Sequence, residues 1–221
     1  MNQFLSREDT LQVIDTILDL GLNFLYESSK HRIIILDELE NELLHFRLPI
    51  DVSISRSLEY NDLDEINYII LLVQSGSASL GYFEEDEVID HKAFKSYMVR
   101  KKQGKSQISY LNSKGKSRAG SRVRLANTIM FFENINERLQ DYFDEYDIHR
   151  IAISCSKTLL PYIYNSKKVC PFDKKDERLL KIPKHIHTPN YEIMMNTHQF
   201  LMKGELIWEE ENQKIKDEIF H

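Results

Sequence analysis

The chemically loaded stretch of this sequence runs from Lys92 to Arg124. It carries eleven Lys or Arg and no Asp or Glu, in a chain whose totals are 29 basic and 35 acidic residues. The remainder therefore holds 18 basic against 35 acidic residues. Three of the seven glycines, Gly104, Gly115 and Gly120, punctuate the same stretch. Positive charge gathered on a glycine-punctuated loop suits a polyanion, and a phosphate backbone is the commonest one. On charge alone, a solvated charge run is the competing reading.

Other candidates are weaker. His185 and His187 are spaced like a metal pair, but no third ligand follows at zinc-like spacing, so a surface or strand-edge pair is expected. Cys155 and Cys170 match no Cys-x-x-Cys spacing, which suits a reduced, cytoplasmic protein. A nucleophilic thiol would need a base that the sequence does not place. Ser154-Cys-Ser-Lys157 lacks the Gly-x-Ser-x-Gly pattern of a hydrolase elbow. Glu84 to Glu87 reads as a solvated turn. No cofactor is expected.

The elements that must position the basic stretch can be read from periodicity. Residues 7–29 carry Leu11, Ile14, Ile17, Leu18, Leu22 and Leu25 near helical spacing, with Ser6 and Asp9 as a cap and Gly21 ending or bending the helix. Arg32–Asp37 reads equally as a buried strand or as the start of the next helix. Asp37–Phe46 reads as a second helical segment. Residues 1–60 are thus expected to be a mostly helical accessory segment. Tyr68–Gln74 is an apolar run suited to a strand buried on both faces, Ser75-Gly76 a turn, and Ala78–Phe83 the hairpin partner. Glu87–Asp90 is a short third strand. Beyond Gly120, Val123, Ala126, Ile129, Met130, Ile135, Leu139 and Phe143 predict a long helix. Strands at 150–154 and 179–182, helices at 157–165 and 190–202, and a charged helical tail at 208–219 complete an α/β domain over 61–221. The expected fold class is α/β, a mixed sheet with flanking helices plus N-terminal helical elements. No apolar run reaches the length that spans a bilayer, and no secretion signal is visible, so no membrane partner is expected.

Several phrases, in order, resemble the eukaryotic-release-factor-like peptidyl-tRNA hydrolases of ribosome quality control, including their shorter bacterial relatives. They are Leu71-Leu-Val-Gln-Ser-Gly76, His91-Lys-Ala-Phe94, Tyr97-Met-Val-Arg-Lys-Lys-Gln-Gly-Lys-Ser-Gln107, Asn112-Ser-Lys-Gly-Lys116, Ala119-Gly-Ser121, Lys181-Ile-Pro183 and Pro189-Asn-Tyr-Glu-Ile193. The resemblance covers about residues 66–205. It implies the fold of the catalytic middle domain of eukaryotic and archaeal release factors, whose glutamine loop enters the peptidyl-transferase centre. The family's Gly-x-x-Gln form maps onto Gly104 and Gln107 as catalytic residues.

The implied reaction is release of nascent chains from stalled ribosomes or large subunits by hydrolysis of the peptidyl-tRNA ester. A neutral amide such as Gln107 is no strong base, but it can orient a water against a reactive ester carbonyl. A nearby backbone N–H could stabilise the developing oxyanion. Gly104 lets the backbone approach RNA where a Cβ would collide. Arg100, Lys101, Lys102, Lys105, Lys114, Lys116, Arg118, Arg122 and Arg124 would neutralise phosphates of tRNA or ribosomal RNA. The same basic loop could hold a phosphodiester for attack by a 2′-hydroxyl, so cleavage of the tRNA 3′ end stands beside ester hydrolysis. A non-catalytic ribosome-binding factor is the reading from another class. The expected partners are the large subunit, peptidyl-tRNA and ribosomal RNA, met by a cytoplasmic monomer. Phe94 and Tyr97 are expected in the core, and Tyr110 stays open.

Overall fold

The structure, a computed structural model, describes residues 1–55, 57–59, 66–84, 86–97 and 119–220, with the backbone alone at 119–122. The first elements are β1 (Asn2–Leu5), α1 (Arg7–Asp19), β2 (Phe24–Glu27), β3 (Arg32–Leu36) and β4 (Glu42–Arg47). Next come β5 (Tyr68–Gln74), β6 (Ser77–Glu84), β7 (Glu87–Lys95) and the long helix α2 (Ala119–Glu145). The chain continues through β8 (Arg150–Cys155), α3 (Leu160–Tyr164), β9 (Leu179–Lys181) and α4 (Tyr191–Leu201). It closes with β10 (Gly204–Trp208) and α5 (Gln213–Ile219). These form a mixed α/β architecture with two five-stranded sheets, ordered β1-β10-β4-β3-β2 and β7-β6-β5-β8-β9.

Two compact units divide the chain. One comprises Met1–Asn67, Glu84–Asp86 and Asn196–His221; the other comprises Tyr68–Phe83 and Glu87–Met195. In the first unit every recorded strand pairing is antiparallel. Its core joins Val13, Ile14 and Ile17 of α1 to Ile33, Ile35, Leu44, Phe46, Leu206 and Trp208 from the sheet. Helix α1 starts where the sequence places it. The Ser6 hydroxyl accepts the Asp9 N–H at 3.0 Å, and the Asp9 carboxylate accepts the Ser6 N–H at 3.3 Å. Gly21, at φ +62°, then turns the chain out of the helix.

Residues 1–60 are therefore not mostly helical. Leu22 and Leu25, counted in the helical spacing over 7–29, lie beyond Gly21, which ends the helix, and Leu25 belongs to β2. Asp37–Phe46, expected as a helix, is a turn followed by β4. The Asp37 carboxylate accepts the N–H groups of Leu39 and Asn41, both at 2.8 Å, which folds the chain back on itself. Leu44 and Phe46 then bury alternate positions of β4, so a period of two overrides the apparent helical spacing. Expecting 61–221 as one domain also needs correction. Strand β10 pairs with β1 and β4, which brings residues 196–221 into the first unit.

The second unit follows the sequence closely. Strand β5 is buried along its whole length except at Gln74, as an apolar run between two strands must be. It pairs antiparallel with β6 and parallel with β8, and β8 pairs parallel with β9. Strand β7 runs to Lys95, longer than the four residues the sequence suggests. Helix α2 buries Phe131, Phe132, Ile135, Leu139 and Tyr142 against Ile69, Leu71, Tyr82 and Ile151. Among the described residues, no helix is long and apolar enough to cross a membrane.

Candidate nucleic-acid interface

Strands β5, β8 and β9 are parallel, so their carboxyl ends share one edge of the second sheet. The Ser75-Gly76 turn lies on that edge, with Gly76 at φ +84°, a conformation that costs a glycine little. The Gly76 carbonyl accepts the Ser96 N–H at 2.8 Å, which brings the end of β7 to the same edge. The Ser96 hydroxyl donates to the Asn127 carbonyl of α2 at 3.2 Å. Both flanks of segment 98–118 are thereby joined beside the carboxyl ends of parallel strands, where open α/β sheets bind ligands.

Cations mark this edge. Lys95 ends β7, Lys157 follows β8, Lys181 ends β9 and Lys184 lies just beyond, all exposed. Acids sit at the opposite edge, with Glu87 opening β7, Asp147 before β8 and Asp176 before β9. The second unit as a whole holds 21 Lys or Arg against 12 Asp or Glu, while the first holds 8 against 23. Lys157, Lys181 and Lys184 were not singled out from the sequence. They share this edge only through the parallel register of β5, β8 and β9.

Gly104, Gln107, Arg100, Lys101, Lys102, Lys105, Lys114, Lys116, Arg118 and Tyr110 lie outside the described residues. Arg122 falls on the backbone of α2. Arg124 is described and is only 7% exposed; its carbonyl accepts the Thr128 hydroxyl at 2.8 Å. Val123, Ile129 and Met130, expected in the core, are 55%, 42% and 57% exposed, whereas Thr128 is buried. The packed stripe of α2 explains this inversion. Stepping back by threes and fours from Leu139 and Ile135 reaches Phe131, Phe132, Thr128 and Arg124, so Ile135 and Leu139 pack as expected while Val123, Ile129 and Met130 turn toward solvent.

Phe94 packs against the core as the sequence suggests, but Tyr97 is 54% exposed at the mouth of segment 98–118. An open cleft of about 430 Å³ lies there, lined by Phe94, Lys95, Tyr97, Asn127, Met130 and Asn134 among others. Strand β7 is stapled to α2 farther along, where the Arg138 guanidinium pairs with the Asp90 carboxylate and lies 4.9 Å from the Tyr142 ring centre.

Three phrases outside segment 98–118 bear on the same edge. Gln74, at the end of β5, donates its amide N–H to the Ile186 carbonyl at 2.6 Å, fastening the strand end to residues 182–190. The Asn190 side chain accepts the Ile193 N–H at 2.8 Å and caps α4. His185 and His187 stack edge to face with ring centres 4.4 Å apart. No group of three or more His, Cys, Asp or Glu among the described residues is placed to hold a metal. Cys155 and Cys170 are free thiols, pushed up by burial to about 12 and about 11, which keeps them protonated and unreactive at neutral pH.

No curated protein matches the chain. Among solved structures it is similar to a "Vms1 mitochondrial localization core", at 11% identity over 86% of this chain and 79% of that one, with a TM-score of 0.43. The family model described as "Bacteroidetes VLRF1 release factor" matches residues 68–208, a span that holds the second unit, the basic stretch and strand β10. With more than half of its length matched, this chain belongs to the Bacteroidetes VLRF1 release factor family.

Proposed function

We propose that this protein frees nascent chains from peptidyl-tRNA on stalled ribosomes or large subunits by hydrolysing the peptidyl ester, with Gln107 orienting the attacking water. One observation carries the reading. In a chain of the release factor family, a stretch with eleven cations and no acid contains Gly104 and Gln107, and its flanks are joined beside the carboxyl ends of the parallel strands of a mixed sheet. The absence of acids suits entry into an RNA-walled cavity, where each carboxylate would be repelled by phosphate. Gln107 supplies an amide that positions water without being consumed, and the ester needs little more activation. Lys101, Lys102, Lys105, Lys114 and Lys116, with Arg100, Arg118 and Arg122 around them, serve as the electrostatic guide, whereas Arg124, expected from the sequence to join them, is buried and stands outside it. The partners on this reading are the large subunit, its RNA and peptidyl-tRNA, engaged by a monomer in the cytoplasm.

The deciding experiment incubates purified stalled complexes with the protein and resolves free peptide, intact tRNA and shortened tRNA. The expected result is free peptide with intact tRNA, lost in Gln107→Ala while binding to the complex is kept. Full release by Gln107→Ala overturns the assignment of the glutamine. Shortened tRNA would mean cleavage of the 3′ end, and binding without product would mean a non-catalytic factor.

A further inference from the structure

A second cleft opens on the other flank of α2, facing α3. Its volume is about 570 Å³, within the range of small-ligand sites. Ile129 and Phe132 of α2 form one wall, and Tyr162, Asn165, Ser166 and Lys167 form the other. The Tyr162 and Phe132 rings stack, with centres 5.4 Å apart and planes 20° from parallel. Ile129 is 42% exposed beside them. The Ser166 hydroxyl is buried and makes no hydrogen bond among the described residues. Asn165 is exposed at the rim, with an amide that both donates and accepts.

We infer that this cleft holds one unpaired base of an RNA strand. Tyr162, backed by the buried Phe132 ring, offers a platform for a base face, Ile129 offers an apolar side wall, and the exposed Asn165 amide offers polar groups to a base edge. Charge on the α3 side of the cleft favours RNA over a protein side chain, while Glu133, Glu137 and Asp141 of α2 act on Lys168. From Lys157 to Phe172 the sequence has three lysines and no acid. Lys168 is paired with Glu137 at 2.9 Å, while Lys157 and Lys167 form no ion pair among the described residues. These two cations flank the cleft on the chain and suit the phosphates on either side of a bound nucleotide. The cleft follows the carboxyl end of β8, the same sheet edge that anchors the basic stretch. The cleft extends the proposed RNA engagement beyond segment 98–118, and it rests on that reading.

The walls are also braced from behind. The buried Asn136 amide donates to the carbonyls of Ile163 and Lys168, both at 2.8 Å, and so holds the ends of the segment that carries Asn165, Ser166 and Lys167. A preformed cleft needs no ordering on binding, which favours a rigid planar ligand.

The test uses the full-length protein with a fluorescein-labelled short oligo-uridylate containing 4-thiouridine. Tyr162→Ala should weaken binding roughly tenfold, the loss expected for one stacked base, while Tyr162→Phe binds as wild type. Lys167→Ala should lower the slope of log affinity against log salt by about 0.7, the value for one phosphate contact on a single strand. Photo-cross-links should map to the tryptic peptide containing Tyr162. Tyr162→Ala is checked for folding by near-ultraviolet circular dichroism; if it does not fold, Asn165→Ala and Lys167→Ala, at exposed positions, carry the comparison. Wild-type affinity and an unchanged salt slope in these variants overturn the proposal. So does a photoreactive residue at Ile129 that cross-links ribosomal protein and no RNA on large subunits. Oligonucleotide binding is read without catalysis, so loss of the Gln107 assignment in the release assay leaves this test standing.

Discussion

The Ser96 hydroxyl donates to the Asn127 carbonyl at 3.2 Å, one residue after β7 ends and about two turns into α2. The same residue's N–H reaches the Gly76 carbonyl at 2.8 Å. One serine thus ties the entry of segment 98–118 to the hairpin turn and to the helix that receives its exit. Ser96→Ala removes only the side-chain bond, and its cost to stability is about 1 kcal/mol. If Gln107 acts as proposed, the expected effect on peptide release is larger than on large-subunit binding, because the cations remain while the flanks of segment 98–118 loosen. Single-turnover release alongside subunit pelleting measures both.

Gly76→Ala tests the other tether. At φ +84° a Cβ is strained, and the substitution should cost about 1–2 kcal/mol. A lowered urea midpoint with an unchanged slope is the expected outcome.

The second unit was legible because its signals agree at every level. Tyr68–Gln74 is continuously apolar, Ser75-Gly76 is a turn that only closes a hairpin, and Ile135 and Leu139 hold a helical period. The first unit was obscured by a coincidence of spacing. Leu39, Leu43 and Leu44 suit a helix on paper, yet Leu39 is 82% exposed in the Asp37 turn and Leu44 is a strand position. Strand β10 was hidden for another reason: its partners, β1 and β4, are more than 150 residues distant in sequence, and pairing at that range leaves no local mark. At the interface, the sequence pointed to cations by density alone. It could not show that Lys157 and Lys181 share an edge with Ser96, because that follows from the parallel register of β5, β8 and β9.

Charge separation between the units gives a prediction about association. With 21 cations against 12 acids, the second unit should bind large subunits with a steep salt dependence. Lys101→Gln combined with Lys102→Gln should reduce the slope by about 1–2, with no loss of thermal stability. A salt-independent affinity in the wild type would remove the electrostatic guide from the account.

Asn136 predicts a structural penalty confined to the α2–α3 junction. Its amide satisfies two backbone carbonyls, so Asn136→Leu fills the space yet strands both acceptors. The expected cost is about 2–3 kcal/mol, seen as a lower urea midpoint, with faster amide exchange concentrated at residues 160–170.

His198 sets a pH dependence in the first unit. Burial lowers its pKa below the ordinary imidazole value, and the Asp86 carboxylate opposes that shift only in part. Between the depressed pKa and about 6.5, the unfolded chain therefore binds more protons at this position than the folded one. Stability from this group is complete above about pH 6.5 and is lost as pH falls through the folded pKa. Urea midpoints should drop as pH falls below about 6.5 in the wild type, and His198→Gln should flatten part of that drop. The amide carries no proton to gain, so what it abolishes is the imidazole's share. If the variant keeps the full wild-type drop, the acid sensitivity belongs to other groups and His198 is a neutral packing residue throughout.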